Sequence, residues 1–326
     1  MKRYRYLPPV LIVCLILAVV LVRNLRTRQE CYSQSAIMMD TVIEMSIWGE
    51  GTVTAEAAAA SAFGEMARIE SIFGDGIVDS ESSHDVIGSA EFDYLIGVSK
   101  EAYGLTGGLF DPTIGSVSRL WHFWGGAHVP DPDSLSEALG HVGLERYING
   151  SASNPVVFDV GGIAKGYAVD LATAKIRSLG FESAIINAGG DLRLIGRRPD
   201  GKPWRIAIRH PRRPGNFIGY LDLVDVAVAT SGDYEKYFVL DDRRYHHILD
   251  PRTGMPGDMS ESVTVLAESA CLSDALATGL FVTGARRGLK IIETQPGLEA
   301  VFVHAEGETI AVSSGLAERF GRFESE

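Results

Sequence analysis

Four segments in the second half of the chain share one layout, in which an apolar, strand-like run delivers the backbone into a polar or glycine-rich loop. They are FDVGGIAKGYAVD (Phe158–Asp170), INAGGDLRLIG (Ile186–Gly196), VATSGDYEKYF (Val228–Phe238) and HHILDPRTGMP (His246–Pro256). Strands punctuated in this way, and alternating with helical stretches elsewhere, point to an α+β architecture. The first half supplies the helices. MMDTVIEMSIWG (Met38–Gly49) carries the β-branched alternation of one strand, and TAEAAAASAFGEMARIESIF (Thr54–Phe73) is an Ala-rich helix. A loop around Gly74–His84 precedes a helix near Glu91–Thr106, and a last helix opens at LSDALATGLFVTG (Leu272–Gly284). The body is expected to begin near Ile37. No repeat of fixed period, low-complexity tract or Pro/Ser-rich linker divides it, so the expectation is one α+β unit with two lobes around a cleft.

With 326 residues, 46% of them hydrophobic, the chain is long enough to bury a full core. Its net charge of −12 conceals an asymmetry: residues 1–30 hold six basic side chains against Glu30 alone, which leaves about −17 on the rest. An acidic body argues against nucleic acid as a partner. Lys2, Arg3 and Arg5 precede an apolar stretch, Leu7–Val22, of the shape taken by a signal h-region or a short membrane anchor. No small-x-small site follows Val22 directly, which favours a retained single-pass anchor, with cleavage near Ser33–Ala36 as the other outcome. The expected division is residues 1–30 as cytoplasmic n-region, anchor and flank, and residues 31–326 as an exported domain. Three scattered cysteines form neither a disulfide framework nor a CxxC site, so any metal is expected to be a hard ion held by oxygen.

Several residues are able to carry chemistry. DVGGIAKGYAVD has neither the P-loop spacing nor the GxGxxG order, but Gly161-Gly162 permit close backbone approach, the next helix start favours an anion and Lys165 adds positive charge. A tight turn with a solvated Lys165 is the plainer alternative. Asp274 and Thr278 lie four apart on a predicted helix and offer a carboxylate and a hydroxyl to one ion, as magnesium requires. Alternatively Ser273 caps that helix and Asp274 complements its dipole. His246-His247 lack a third ligand at zinc spacing, and Asp250 reads as a turn residue. Asn187, Asp191, Thr230, Ser231 and Asp233 fall in loops. In TGGLFDPTIGSVSRLWHFWGG, Trp121, Phe123 and Trp124 either cover a flat ligand or belong to the core.

Taken together, MDT (Met39–Thr41), FDPTIG, DVGGIAKGYAVD, NAGGD, ATSGDYE, HILDPRTG and DALATGLFVTG, in that order from Met39 to Gly284, resemble the ApbE family, the FAD:protein FMN transferases. The resemblance implies an ApbE-like (T-fold-like) mixed sheet with helices, two lobes around a flavin-nucleotide cleft, preceded here by the N-terminal membrane segment. It implies Mg²⁺-dependent transfer of the FMN half of FAD to a threonine hydroxyl of a flavoprotein, with release of AMP; Mn²⁺ is admitted by the same oxygen ligands. Acceptors of the Rnf/Nqr type and an extracytoplasmic catalytic domain at the cell membrane follow from it, while a homodimer is left open. Matched residue by residue, it implies FAD contacts at Met39, Phe73, Leu109, Phe110, Asp111, Asp159, Lys165, His247 and Ile248. Gly162, Asp274, Ala277 and Thr278 fall at the metal. His247 is the expected base, with Asp159 second. Two stretches depart from the pattern: Asp40 puts a carboxylate near the cleft entrance, and DSESSHDVIGS (Asp79–Ser89) replaces a family stretch. An FAD pyrophosphatase and a non-catalytic exported flavin binder are the alternative functions.

Overall fold

The structure is a computed structural model that describes residues 30–74, 76–121, 123, 127–152, 155–304, 307 and 309–321. The basic and apolar segment before Glu30, and Trp124, lie outside the described residues. Strands β1 (Cys31–Met38) and β2 (Thr41–Trp48) form a hairpin around Met39-Asp40. Both turn residues have positive φ, 51° and 59°, the mirror-image turn that matches strand twist. The strand expected in MMDTVIEMSIWG is β2, and β1 precedes it, starting at Cys31, ahead of the expected start near Ile37. No Gly, Pro or Asn marks this turn; the Glu70 carboxylate holds it instead, accepting a 2.6 Å bond from the Met39 amide.

Helix α1 (Ala55–Phe73) starts at Thr54, whose hydroxyl accepts from the Ala57 amide, and buries Ala58, Ala62, Met66, Ile69 and Phe73 along one face. Gly64 lies on its exposed face with open space where a Cβ would stand. Gly64→Ala should therefore stabilise the protein by about 0.5–1 kcal/mol, read as a higher denaturant midpoint with unchanged m-value. Next come β3 (Ile77–Asp79), α2 (Ala90–Thr106) and the short helices α3 (Gly115–Ser118), α4 (Pro132–Leu139) and α5 (Leu144–Ile148). Strand β4 (Val157–Asp159) pairs with β3 and leads through the glycine turn into α6 (Ala164–Ser178).

The remainder comprises β5 (Ser183–Ala188), β6 (Asp191–Ile195), β7 (Trp204–Arg209), β8 (Phe217–Leu223), β9 (Ala227–Gly232), β10 (Tyr237–Leu240), β11 (Arg243–His246) and β12 (Ser262–Ala267). It ends with α7 (Ala270–Thr283), α8 (Ala285–Ile292), β13 (Glu299–His304), β14 (Thr309–Val312) and β15 (Phe320–Gly321). Eight strands make one sheet in the order β1-β2-β5-β6-β9-β12-β13-β14. Each of its pairings is antiparallel, which corrects the expected mixed sheet. Hairpins join β1–β2, β5–β6 and β13–β14, while the excursions from β6 to β9, β9 to β12 and β12 to β13 each carry two elements and return reversed. A parallel pair needs a crossover of about a dozen residues or more, usually a helix.

Among the described residues the interior is divided into three apolar clusters. The largest packs α1, α2, α6 and α7 on one sheet face, around Ile43, Met66, Phe158, Ala168 and Phe281. The second lies under the small β15-β8-β7 sheet, around Trp204, Leu221 and Val303. The third gathers Val117, Trp121, Leu135 and Leu249 beside the β10–β11 hairpin. Among the described residues no helix is long and apolar enough to cross a membrane.

Candidate active site

The glycine turn and α7, more than a hundred residues apart in sequence, meet along one antiparallel seam. Gly162 faces Thr278, Gly166 faces Asp274 and Asp170 faces Ala270, so each step of four along one element is matched by a step of four back along the other. A Cβ on Gly162 would stand 3.1 Å from Thr278 Oγ1 and 3.5 Å from the Phe110 ring. One on Gly166 would lie 2.6 Å from the Ala270 carbonyl carbon and 2.8 Å from Cys271 Cα. Only glycine admits this approach. Asp170 closes the seam by accepting bonds from Ser269 Oγ (2.7 Å) and the amides of Ala270 (2.8 Å) and Cys271 (2.9 Å), which caps α7. The alternative cap at Ser273 is excluded: the N-cap is Ser269, four residues earlier, and the Ser273 hydroxyl is inside α7, bonded to the Val265 carbonyl at 2.6 Å.

The seam brings charge together at its open end. Lys165 Nζ lies 3.2 Å from Asp191 Oδ2 and 4.0 Å from Asp274 Oδ2, and the Gly166 amide donates to Asp274 at 3.2 Å. Lys165 is thus ion-paired rather than solvated. Burial opposes its charge, but Asp191 and Asp274 outweigh burial and push its pKa up. The Asp274 carboxyl is pushed up to about 7 by burial and by Asp191, with Lys165 pulling the other way. An added cation would relieve that carboxylate. Thr278 Oγ1, one turn on, lies 3.3 Å from Ser231 Oγ.

These donors fit magnesium. Asp274 supplies a carboxylate and Thr278 a hydroxyl on one helix face, and the Gly162 backbone packs against Thr278 with a carbonyl to offer; all are hard oxygen donors. Among the described residues no three His, Cys, Asp or Glu side chains form a metal cluster, so water and substrate oxygens would complete the shell. Ala277 is fully buried beside them and has only its backbone to offer.

The other expected site residues divide into those near this cluster and those committed elsewhere. His247 is close enough to Lys165 to feel its charge, and burial together with His246, Lys236 and Lys165 pushes its pKa down to about 3. Its Nδ1 is 3.3 Å from the Lys236 carbonyl. A carbonyl only accepts, so this contact assigns the proton to Nδ1 and leaves the Nε2 lone pair unprotonated. His246 is structural, with Nε2 2.8 Å from the Gly257 carbonyl and Nδ1 accepting from the Ile248 amide. Ile248 and Leu109 are buried, and Phe110 packs between Gly162 and Gly279.

Both Asp159 oxygens are engaged, one by the Gly161 amide (2.9 Å) and one by Ser118 Oγ (2.6 Å), so this carboxylate shapes the turn. Asp111 is likewise spent internally. It accepts from the Thr113 amide and hydroxyl and from the Leu144 amide, and burial pushes its pKa up. Phe73 is a core residue at the end of α1, and Met39 occupies the β1–β2 turn. Asp40 reaches across to Lys236 at 3.6 Å. Trp121 and Phe123 stack on each other at 5.6 Å and join Phe238 and Tyr245 in the third cluster. Asp250 makes the expected turn bond, to the Arg252 amide.

Asp191, Gly166, Asp170 and Ser231 are the members of this site that motif reading did not assign. The signal for two of them was present as the spacing of four through Gly162, Gly166 and Asp170. Two open surface depressions, of about 650 and 440 Å³, lie along Glu30–Glu56 and over the β1-β2-β5 face, and neither includes Lys165, Asp274 or Thr278.

With the geometry described, comparison with known proteins decides the family. The model of the ApbE family matches residues 39–302, most of the chain. The chain belongs to the ApbE family. An FAD:protein FMN transferase of Vibrio cholerae is 40% identical over 209 residues, 60% of this chain and 63% of that protein. The aligned stretch is thus just under two thirds of that relative's length. A Klebsiella pneumoniae FAD:protein FMN transferase is 30% identical over 312 residues, covering 90% of this chain and 95% of its own. Among solved structures, the ApbE protein of Thermotoga maritima superposes with a TM-score of 0.78 at 35% identity, over 89% of this chain and 99% of that one. The antiparallel sheet, the helical layer and the α6–α7 seam described above thus belong to an ApbE fold of mixed α/β content.

Proposed function

We propose that this protein transfers the FMN moiety of FAD to a threonine hydroxyl of an acceptor flavoprotein and releases AMP, with Mg²⁺ held by Asp274, Thr278 and the Gly162 carbonyl. The observation that carries this reading is the meeting of the Gly161-Gly162 turn, Lys165, Asp274 and Thr278 at one end of the α6–α7 seam, in a chain of the ApbE family. The bound metal would neutralise the pyrophosphate and the charge that develops on the departing AMP. The chain's own groups do the rest. The positive end of α6 faces the phosphate oxygens, and Lys165 adds a fixed positive charge beside them. His247 takes the hydroxyl proton at Nε2 as the threonine Oγ–phosphorus bond forms and the bond from phosphorus to the AMP oxygen breaks. A pyrophosphate beside it raises the proton affinity of an imidazole that is neutral beforehand. Asp159, with both oxygens engaged, orients the turn.

Residues 1–30 are proposed as a membrane anchor, or a cleaved signal, that places residues 31–326 outside the cytoplasm, within reach of Rnf- or Nqr-type acceptors. The test is product analysis after mixing the protein with FAD, Mg²⁺ and an acceptor flavoprotein domain. Flavin bound covalently to the acceptor with free AMP supports the transferase. Free FMN with free AMP would replace it by a pyrophosphatase, and intact FAD by a binder. His247→Ala should slow transfer by about 10²–10⁴-fold while FAD binding stays within about twofold, less than half a kcal/mol. Full transfer by that variant would dismiss the histidine as base.

A further inference from the structure

The buried carboxylate of Asp191 is left unexplained by the metal site. It is the first residue of β6, set there by the Gly189-Gly190 turn, both of whose residues have positive φ and whose first glycine packs on Thr41. Asp191 is 3% exposed, and among the described residues its Oδ2 receives no well-directed hydrogen bond. Its compensation is the Lys165 ammonium 3.2 Å away. Burying a carboxylate is costly, and an ion pair taken out of water roughly breaks even, so stability alone does not account for the pair.

Charge balance identifies the purpose. Lys165 stands between two carboxylates, nearer Asp191 than Asp274. If Asp274 were its sole partner, a divalent cation arriving at Asp274 and Thr278 would repel the ammonium and drive it from the site. With Asp191 on its other side, Lys165 retains a counter-charge when Asp274 turns to the metal. Two carboxylates, one ammonium and one divalent cation then leave a net single positive charge facing an anionic pyrophosphate. We propose that Asp191 is a positioning residue: its carboxylate anchors Lys165 at the glycine turn, so that ammonium and metal act on the pyrophosphate together. This rests on the transferase reading above.

The test compares wild type, Asp191→Asn, Lys165→Met and the double variant. FAD binding is followed by flavin fluorescence with Mg²⁺ present, and folding by thermal melting. Asp191→Asn should weaken FAD binding about tenfold, the scale of one charge-assisted contact, and should raise KM for FAD more than it lowers kcat. Because Asp191 acts through Lys165, the double variant should bind FAD no worse than Lys165→Met alone. Wild-type FAD binding by Asp191→Asn, losses that multiply in the double variant, or an Asp191→Asn protein without a cooperative melt would each overturn the assignment; the last would make the carboxylate structural. A wild-type protein that binds no FAD would instead remove the transferase reading, an outcome distinct from these.

Discussion

Asp274→Asn should abolish transfer, by about 10³-fold or more if the ligand carboxylate anchors the metal, yet melt no lower than wild type at neutral pH. The two effects have one cause. Asp274 is buried in α7, and asparagine keeps its shape and an oxygen to accept from the Gly166 amide. What is lost is a negative charge that burial and Asp191 make costly in the metal-free protein. Its pKa is about 7 in the fold against 3.8 for an ordinary aspartate, so the folded state holds a proton that the unfolded chain releases first. The stability this contributes is complete below about pH 4 and lost as pH rises through about 7. Melts in chelator across that window should show the wild type losing stability as pH rises, and the variant lacking this part of the fall. Mg²⁺ should raise the wild-type midpoint and leave the variant's unchanged. Transfer by Asp274→Asn at the wild-type rate would remove the metal assignment.

What made this site legible was local chemistry, and what hid part of it was geometry at long range. Helix α1 was readable because Thr54 caps it and its apolar residues recur at helical spacing. Asp274 and Thr278 were readable as a pair because four residues make one helical turn. The hairpin at Met39-Asp40 was not, since its turn residues adopt positive φ without glycine or asparagine and depend on Glu70, thirty-one residues away, to hold them. The antiparallel sheet was hidden for a related reason: strand direction is set by where each long excursion returns, and β3, β10 and β11 are too short to stand out. The Asp111 carboxylate satisfies Thr113 and Leu144, the latter thirty-three residues away, a bond its motif does not disclose. Asp191 was the converse: it reads as a loop aspartate in the sequence but opens β6, and its significance appears only when Lys165 is brought beside it.

Gly166→Ala is expected to be the most damaging single-carbon change in the chain's glycine motif. In an isolated helix alanine would gain up to about 1 kcal/mol over glycine, as at Gly64. At position 166 the new methyl instead meets the Ala270 carbonyl group and Cys271 Cα, which are backbone atoms and cannot rotate aside. Overpacking of this kind costs about 1–3 kcal/mol, and relief requires α6 to move away from α7. The melting temperature should fall by roughly 5 °C, as a net loss of about 2 kcal/mol predicts for a protein of this size. Activity should suffer more than stability. Separation of the helices draws Lys165 from Asp274 and Gly162 from Thr278, and a displacement of about 1 Å costs on the order of 10²-fold in rate. The two glycine variants therefore separate seam from propensity: Gly64→Ala should raise the midpoint and leave transfer unchanged, while Gly166→Ala lowers both. If Gly166→Ala melted and transferred like wild type, α6 and α7 would not meet at this residue, and the link between the glycine turn and the metal face would be lost with that contact.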